Sequence, residues 1–245
     1  MNFLLNFLFP RTCLGCGKIG LPAEASAKAG HYFCPFCIQK INLIENQICP
    51  VCEKSSPFGQ THRVCQKNRS LDGLISFFAY EGMVKKAIHQ LKFKYVTDLA
   101  DELFGLVRET WEMGEGNRFS QMKRFVKDKK PTIVPVPLYW YKENQRGFNQ
   151  AEIFAQNLAN SWNLEVKNDL LIRKKSTIPQ AGLSEKERQK NIANAFVLSP
   201  NIPISSYPHI LMVDDIWTTG ATLKSCAKVI KEAGAQEVWG LTLAR

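Results

Sequence analysis

Long apolar runs are what this 245-residue chain most plainly lacks. No stretch approaches the ~20 residues that a helix needs to cross a bilayer, so a membrane span is not expected. The opening MNFLLNFLF is apolar but short, has no basic residue ahead of its apolar part, and meets Pro10 and Arg11 without a small-residue cleavage site. It reads as a helix that docks or anchors against the next module, not as an export signal, and a cytoplasmic location is expected. Internal repeats and low-complexity tracts are also missing, apart from a cysteine knuckle used more than once, which excludes solenoids and disordered tails. Acidic residues are scarce, 22 against 32 Lys and Arg, giving a formal charge of +10 that points to a polyanionic partner or simply to solubility. Cysteine almost vanishes after residue 65, where Cys226 alone remains, and reads as a small buried apolar residue. What is left, 45% hydrophobic and 22% charged, describes a folded globular protein with room for one α/β domain and a smaller module.

The other seven cysteines crowd the first 65 residues in a paired spacing. Cys13-x2-Cys16 and Cys34-x2-Cys37 supply four thiols; Cys49-x2-Cys52 and His62-x2-Cys65 supply three thiols and one imidazole. Each x2 pair makes a knuckle that offers two ligands to a tetrahedral ion, so two knuckles close the sphere and leave no position for water. Two structural Zn²⁺ ions are expected, standing in for a hydrophobic core that so small a module hardly assembles. Spacing alone admits sequential pairing, which makes two zinc ribbons, and interleaved pairing of the first knuckle with the third. Spacing alone leaves open whether His62 or a different group completes the second set. Disulfides would need an oxidising compartment, for which the chain carries no marker. Seven thiolates outweigh two dications by three charges, which brings the net charge to about +7. Residues 1–70 carry 8 basic and 3 acidic side chains, whereas 191–245 carry 4 of each, so the surplus lies mostly outside the C-terminal segment.

That segment, HILMVDDIWTTGATL from His209 to Leu223, holds the clearest chemistry. Ile210, Leu211, Met212 and Val213 form the continuous apolar run of a strand covered on both faces, ended by Asp214 and Asp215. Thr218, Thr219, Gly220, Ala221 and Thr222 then bring hydroxyls and closely spaced backbone N–H groups to the start of a helix expected near Leu223, an arrangement that cradles an anion. Carboxylates beside such a cradle suit a sugar phosphate, because they accept hydrogen bonds from vicinal hydroxyls and help to hold Mg²⁺. The segment resembles the phosphoribosyl-pyrophosphate (PRPP) motif of type I phosphoribosyltransferases. By that resemblance Asp214 and Asp215 are catalytic-site residues that contact the ribose hydroxyls, and the Thr/Gly loop wraps the 5-phosphate.

The remainder reads as alternating strands and helices. Residues 74–80 form a strand, and Val84, Ala87, Ile88 and Leu91 mark a helix with His89 on a partly exposed face. Thr97 or Asp98 caps a second helix using Leu99, Leu103, Leu106 and Val107, and 112–130 reads as a helix end and an exposed connection. A buried strand at 132–136 feeds a helix from Asn149 to Trp162, and the loop between them places Lys142, Arg146, Asn149 and Gln150 at the carboxyl end of a strand, where open α/β sheets bind ligands. A short strand at Leu170 carries Arg173 into a basic loop able to close over a ligand, and a charged helix follows from Ser184, boxed by Glu187. Leu223 to Ala233 is a helix ended by Gly234, and 238–243 is the last strand.

The order of knuckles, VPVP strand, RGFNQAE helix start, R-x3-T-x2-Q loop and VDDIWTTGAT resembles the ComF family across essentially the whole chain. The matching positions are Pro135, Pro137, Arg146, Gly147, Phe148, Asn149, Gln150, Arg173, Thr177, Gln180, Leu183, Arg188, Asn191, Asp214, Asp215, Thr218, Thr219, Gly220 and Thr222. The resemblance implies a type I phosphoribosyltransferase-like parallel sheet flanked by helices over 71–245, preceded by a double zinc-ribbon module over 1–70. It implies Mg²⁺ with PRPP as ligand, Thr218–Thr222, Arg146, Asn149, Gln150 and Arg173 as phosphate-binding residues, and a role in uptake or processing of single-stranded DNA beside a helicase or another competence protein. The sequence departs from ordinary transferases where a Gly-containing pyrophosphate loop belongs: Pro137, Leu138, Tyr139, Trp140 and Tyr141 stand there. The aromatic trio suits a core position or a stacking surface for a base. An ordinary salvage transferase moving 5-phosphoribosyl to a nitrogenous base is the other reading.

Overall fold

The computed structural model describes residues 12–19, 32–93, 97–113, 117–175, 192 and 194–245. Its frame is a four-stranded, wholly parallel sheet of β1 (Gly73–Phe78), β2 (Thr132–Pro135), β5 (His209–Ile216) and β6 (Glu237–Ala244), in the order β1-β6-β5-β2. Parallel strands need crossovers, and helices supply them: α2 (Gly82–Phe93), α3 (Thr97–Met113) and α4 (Ser120–Lys129) lie between β1 and β2, and α7 (Ala221–Glu232) lies between β5 and β6. Alternate side chains of each strand enter opposite layers. Leu211, Val213 and Leu241 pack with Phe104, Phe154 and Leu158 on one face, while Ile210, Met212 and Val238 pack with Leu223, Cys226 and Ile230 on the other. The apolar run at 210–213 and the largely apolar 74–78, where the buried Ser76 hydroxyl pairs with Thr242, are the direct consequence, since a strand covered on both sides has no solvent face to fill with polar residues.

Several local expectations change. The strand of the acidic pair does not stop at Val213 but continues through Asp214 and Asp215 to Ile216, because β6 keeps pairing with it as far as Ile216↔Ala244. Residues 120–129, expected in an exposed connection, form α4, which buries Met122 and Phe125 while Lys123, Arg124 and Lys127 supply the charge that hid the pattern. The loop holding Lys142 and Arg146 is in fact α5 (Trp140–Arg146), stopped by Gly147 at φ +73°. The strand near Leu170 is β3 (Leu171–Arg173), and it pairs antiparallel with β4 (Phe196–Leu198), which was not foreseen. Helix α6 (Gln150–Trp162) begins where expected, with Asn149 as its N-cap. The opening apolar segment, Thr177, Gln180, Leu183, Arg188 and Asn191, and the helix expected from Ser184 lie outside the described residues.

Ahead of the sheet, the cysteine-rich segment holds a short α1 (Pro35–Ile38) and a 3-10 turn at Arg63–Cys65. It is tied to β1 by Gln47, whose side chain donates to the Ser76 carbonyl at 2.9 Å and accepts from the Ser76 N–H at 3.0 Å. Bridges Leu43↔Phe78 and Gln60↔Gly73 extend the junction. No helix among the described residues is long and apolar enough to cross a membrane.

Gly73 shows how tightly β1 and β6 meet: a Cβ built there falls 2.2 Å from the ring of its register partner Trp239, which is itself buried. Gly73→Ala is expected to destabilise the protein by about 1–3 kcal/mol through overpacking, with Trp239→Phe recovering part of the loss in the double variant, as read from urea midpoints at constant m-value.

Candidate functional site

Two clusters of ligating atoms assemble in the N-terminal module. Cys13, Cys16, Cys34 and Cys37 form one, and Cys49, Cys52, His62 and Cys65 the other; within each, all four ligand atoms lie within 4.8 Å of one another. Knuckle pairing is therefore sequential, not interleaved. Zinc–sulfur bonds of about 2.3 Å give a tetrahedron with edges near 3.8 Å, and the Sγ atoms of Cys16 and Cys34 stand 3.8 Å apart. Local turns build the knuckles: the Gly17 N–H donates to the Cys13 carbonyl at 2.8 Å and the Glu53 N–H to the Cys49 carbonyl at 2.9 Å. Gly15 has no room for a side chain, since a Cβ there would sit 2.6 Å from Cys37 Sγ. His62 joins the second cluster through Nδ1, 3.4 Å from Cys52 Sγ, while its Nε2 lies 3.1 Å from the Ser55 carbonyl. That carbonyl accepts the ring proton at Nε2 and leaves Nδ1 as the metal-facing nitrogen. Both donor sets suit closed, structural zinc sites.

The second centre lies at the carboxyl ends of β5 and β2. Asp214 and Asp215 are half-buried on the last part of β5, and the Asp214 Oδ1 accepts from the Asp215 N–H at 2.8 Å. Burial and the neighbouring Asp215 charge push the Asp214 carboxyl up to about 7, against the pull of that N–H, Lys92 and Arg173. Lys92, in the last turn of α2, binds Asp215 Oδ2 at 2.6 Å. Arg146 stands near Asp215, and burial holds its guanidinium below its ordinary range despite that carboxylate. Lys142 is lowered by burial and by the positive charges of Arg173, Arg146 and Lys92; Arg173 is lowered by burial and by Arg146, with Asp214 acting in the opposite sense. Lys92, Arg146 and Arg173 thus act on the two carboxylates, with Lys142 beside these cations, and such a cluster favours an anionic ligand that also offers hydroxyl donors or a bound dication.

Beyond Ile216 the chain turns over Trp217, which is buried, and reaches Gly220 at φ +68°. A Cβ at Gly220 would fall 2.2 Å from the Trp217 ring, so both the backbone angle and the close approach demand glycine. Helix α7 starts at Ala221, two residues earlier than expected from Leu223, which places Thr218–Thr222 around a helix N-terminus. The Thr219 Oγ1 and Trp217 Nε1 are buried and meet no hydrogen-bond partner among the described residues. An orphaned hydroxyl in such a loop fits a phosphate oxygen.

Of the residues expected to bind phosphate, Asn149 and Gln150 serve the site from behind. Asn149 is buried; its Oδ1 caps α6 at the Ala151 N–H and its Nδ2 donates to the Val136 carbonyl at 3.1 Å. Gln150 donates to the Leu91 carbonyl at 3.1 Å and accepts from Arg146 at 3.2 Å, so it fixes Arg146 and the end of α2 at once. Lys92 was missed as a site residue, because a lysine on a basic helix gives no sign that its helix ends beside another strand's carboxylates. Trp140 and Tyr141 are 59% and 52% exposed, so these two aromatics are not core. Cys226 is buried as expected, its thiol pushed well up by burial and then by Asp214.

These features define a class, a parallel α/β protein with a strand-end acidic pair and Thr/Gly loop behind two zinc centres. Residues 4–68 match the model of the double zinc ribbon domain. Over most of its length the chain is similar to DNA utilization protein YhgH of Salmonella typhimurium, 30% identical over 205 residues, 83% of this chain and 85% of that protein. It is also similar to Competence protein ComFC of Bacillus subtilis, 26% identical over 220 residues, 86% and 83% of the two chains. Competence protein F of Haemophilus influenzae is 40% identical over 114 residues, 46% of this chain and 50% of that protein, so the chain spans about half that relative's length. The chain belongs to the ComF family.

Freshly purified protein is expected to hold two zinc ions per chain, counted by emission spectrometry, and His62→Ala to lower the count to between one and two while the first site stays filled. A wild-type count near one would contradict the two-centre geometry.

Proposed function

We propose that this protein binds a ribose 5-phosphate group of the PRPP type with Mg²⁺ at the β5 end, and uses it in handling single-stranded DNA during DNA uptake. The observation that carries the reading is the convergence of Asp214 and Asp215, the Thr218–Thr222 loop and the cations Lys92, Lys142, Arg146 and Arg173 at one sheet edge. The acidic pair accepts the ribose hydroxyls, the loop N–H groups and Thr219 hydroxyl take the 5-phosphate, and the cations face the pyrophosphate side. Mg²⁺ would offset the charge that the pyrophosphate brings to two carboxylates. The DNA side of the proposal rests on relatives named for competence and DNA utilization, on the basic charge, and on exposed Trp140 and Tyr141 beside Lys142 and Arg146. Stacking on such rings contributes about 1–3 kcal/mol per base and tolerates any sequence.

A transfer reaction is the second reading, favoured by the cation cluster opposite the acidic pair. Arginine and lysine would hold the leaving pyrophosphate while C1 gains oxocarbenium character, and the pair would fix the ribose without acting as a base. Pro137 and the bulky residues after it oppose this reading, because they occupy the place of a glycine loop that lets backbone approach pyrophosphate closely.

Titration calorimetry with Mg²⁺-PRPP tests the site. Asp214→Asn with Asp215→Asn is expected to weaken binding at least about tenfold, equivalent to about 1.4 kcal/mol; unchanged binding would sink the assignment. The raised pKa of Asp214 sets the pH dependence: the carboxyl is neutral below about 7 and charged above it, so affinity should increase between pH 6 and 8.

A further inference from the structure

The second zinc ribbon meets the phosphate loop at a point that packing does not explain. Beside the ribbon lies a cavity of about 540 Å³, lined by Pro50, Val51, Glu53, Arg69, Leu71 and, from the first turn of α7, Lys224 among others. Ribbon and loop are bridged by charge: Lys224 Nζ donates to Glu53 Oε1 at 2.8 Å and to the Thr219 carbonyl at 3.0 Å, and stands 5.2 Å over the Trp217 ring. Each partner is oddly placed for a mere surface pair. Lys224 sits in the first turn of α7, where the helix dipole disfavours a cation, and that turn holds no acidic residue. Glu53 adopts φ +60°, a left-handed conformation that non-glycine residues seldom take, because its N–H closes the knuckle turn onto Cys49. Metal geometry at Cys49 and Cys52 therefore sets where the Glu53 carboxylate stands, and that carboxylate holds Lys224 against the loop.

We propose that Glu53 and Lys224 are positioning residues through which the second zinc ribbon holds the Thr218–Thr222 loop in its anion-binding form. With Lys224 drawing the Thr219 carbonyl outward, the loop N–H groups and the Thr219 hydroxyl stay turned to the cradle. Trp217, gripped between Lys224 and Gly220, forms the floor. Lys224 is 33% and Glu53 44% exposed, so the pair's worth to global stability is small and its effect is local. The ligand part of this inference rests on the sugar-phosphate reading; the loop part does not.

Amide hydrogen exchange of the 214–224 segment in zinc-loaded full-length protein tests the loop part without any ligand. Glu53→Gln and Lys224→Met are each expected to speed exchange at Thr218–Thr222 about 3–5-fold at low salt, with no further gain in the double variant, and to leave two zinc ions per chain and the thermal midpoint unchanged. Near 1 M salt, where the Debye length is about 3 Å, the wild type should approach the variants. Equal exchange in wild type and Glu53→Gln, or additive effects in the double variant, would overturn the coupling. Calorimetry on the same samples should show Mg²⁺-PRPP affinity about 3–5-fold lower in Glu53→Gln; a rise in affinity would mean that Glu53 merely withholds Lys224 from the ligand and would overturn the positioning role. If PRPP fails to bind the wild type while exchange responds, the sugar-phosphate reading falls and the coupling stands.

Discussion

Two adjacent carboxylates on the end of a buried central strand are costly to ionise together, and the architecture around them answers that cost. Asp214 and Asp215 share one half-buried strand end, and charge on one opposes charge on the other. Lys92 arrives from α2, Arg173 from β3 and Arg146 from α5, so three separate stretches of chain must reach the same strand end before the pair is tolerable. The parallel sheet brings the carboxyl ends of β5 and β2 to one side, and the helices and the β3–β4 pair deliver the cations there. The buried face of each strand and the supporting bonds of Asn149 and Gln150 serve the same end, because they fix where α2 and α5 deliver their cations.

The zinc module belongs to this arrangement and is not a separate appendage. Gln47 is bonded into β1 on both its donor and its acceptor side, and Glu53 pairs with Lys224 of α7, which donates in turn to the Thr219 carbonyl of the loop that follows the acidic pair. Small modules with little apolar core gain their fixed geometry from metal, and here that geometry is tied to β1 and to the start of α7. A half-exposed ion pair beside a cavity transmits position with little contribution to stability, which suits a contact concerned with loop shape.

Much of this was legible in the chain because the signals were local. The x2 knuckles, the apolar runs at 74–78 and 210–213, and the TTGAT helix start each follow from a few neighbouring residues, and the strands and helices lie close to where those patterns put them. The larger differences are non-local. The strand continues through Asp214 and Asp215 because β6 pairs with them, which nothing in the segment's own composition reveals. Met122 and Phe125 are buried against other elements although their helix is crowded with lysine and arginine. Lys92 and Glu53 acquire their roles only when distant elements meet. The side chains of Asn149 and Gln150 are spent on backbone carbonyls and on Arg146, a distinction spacing does not carry.

The ionisation of Asp214 tests the central claim most directly, and carbon-detected NMR of its carboxyl can follow it from pH 4 to 9 with and without saturating Mg²⁺-PRPP. A midpoint near 7 is expected in the free protein, set by burial and Asp215, and a clear downward shift in the complex, where ligand hydroxyls and the dication favour the charged form. A midpoint near 4 in the free protein, or one that the ligand leaves unmoved, would contradict that claim.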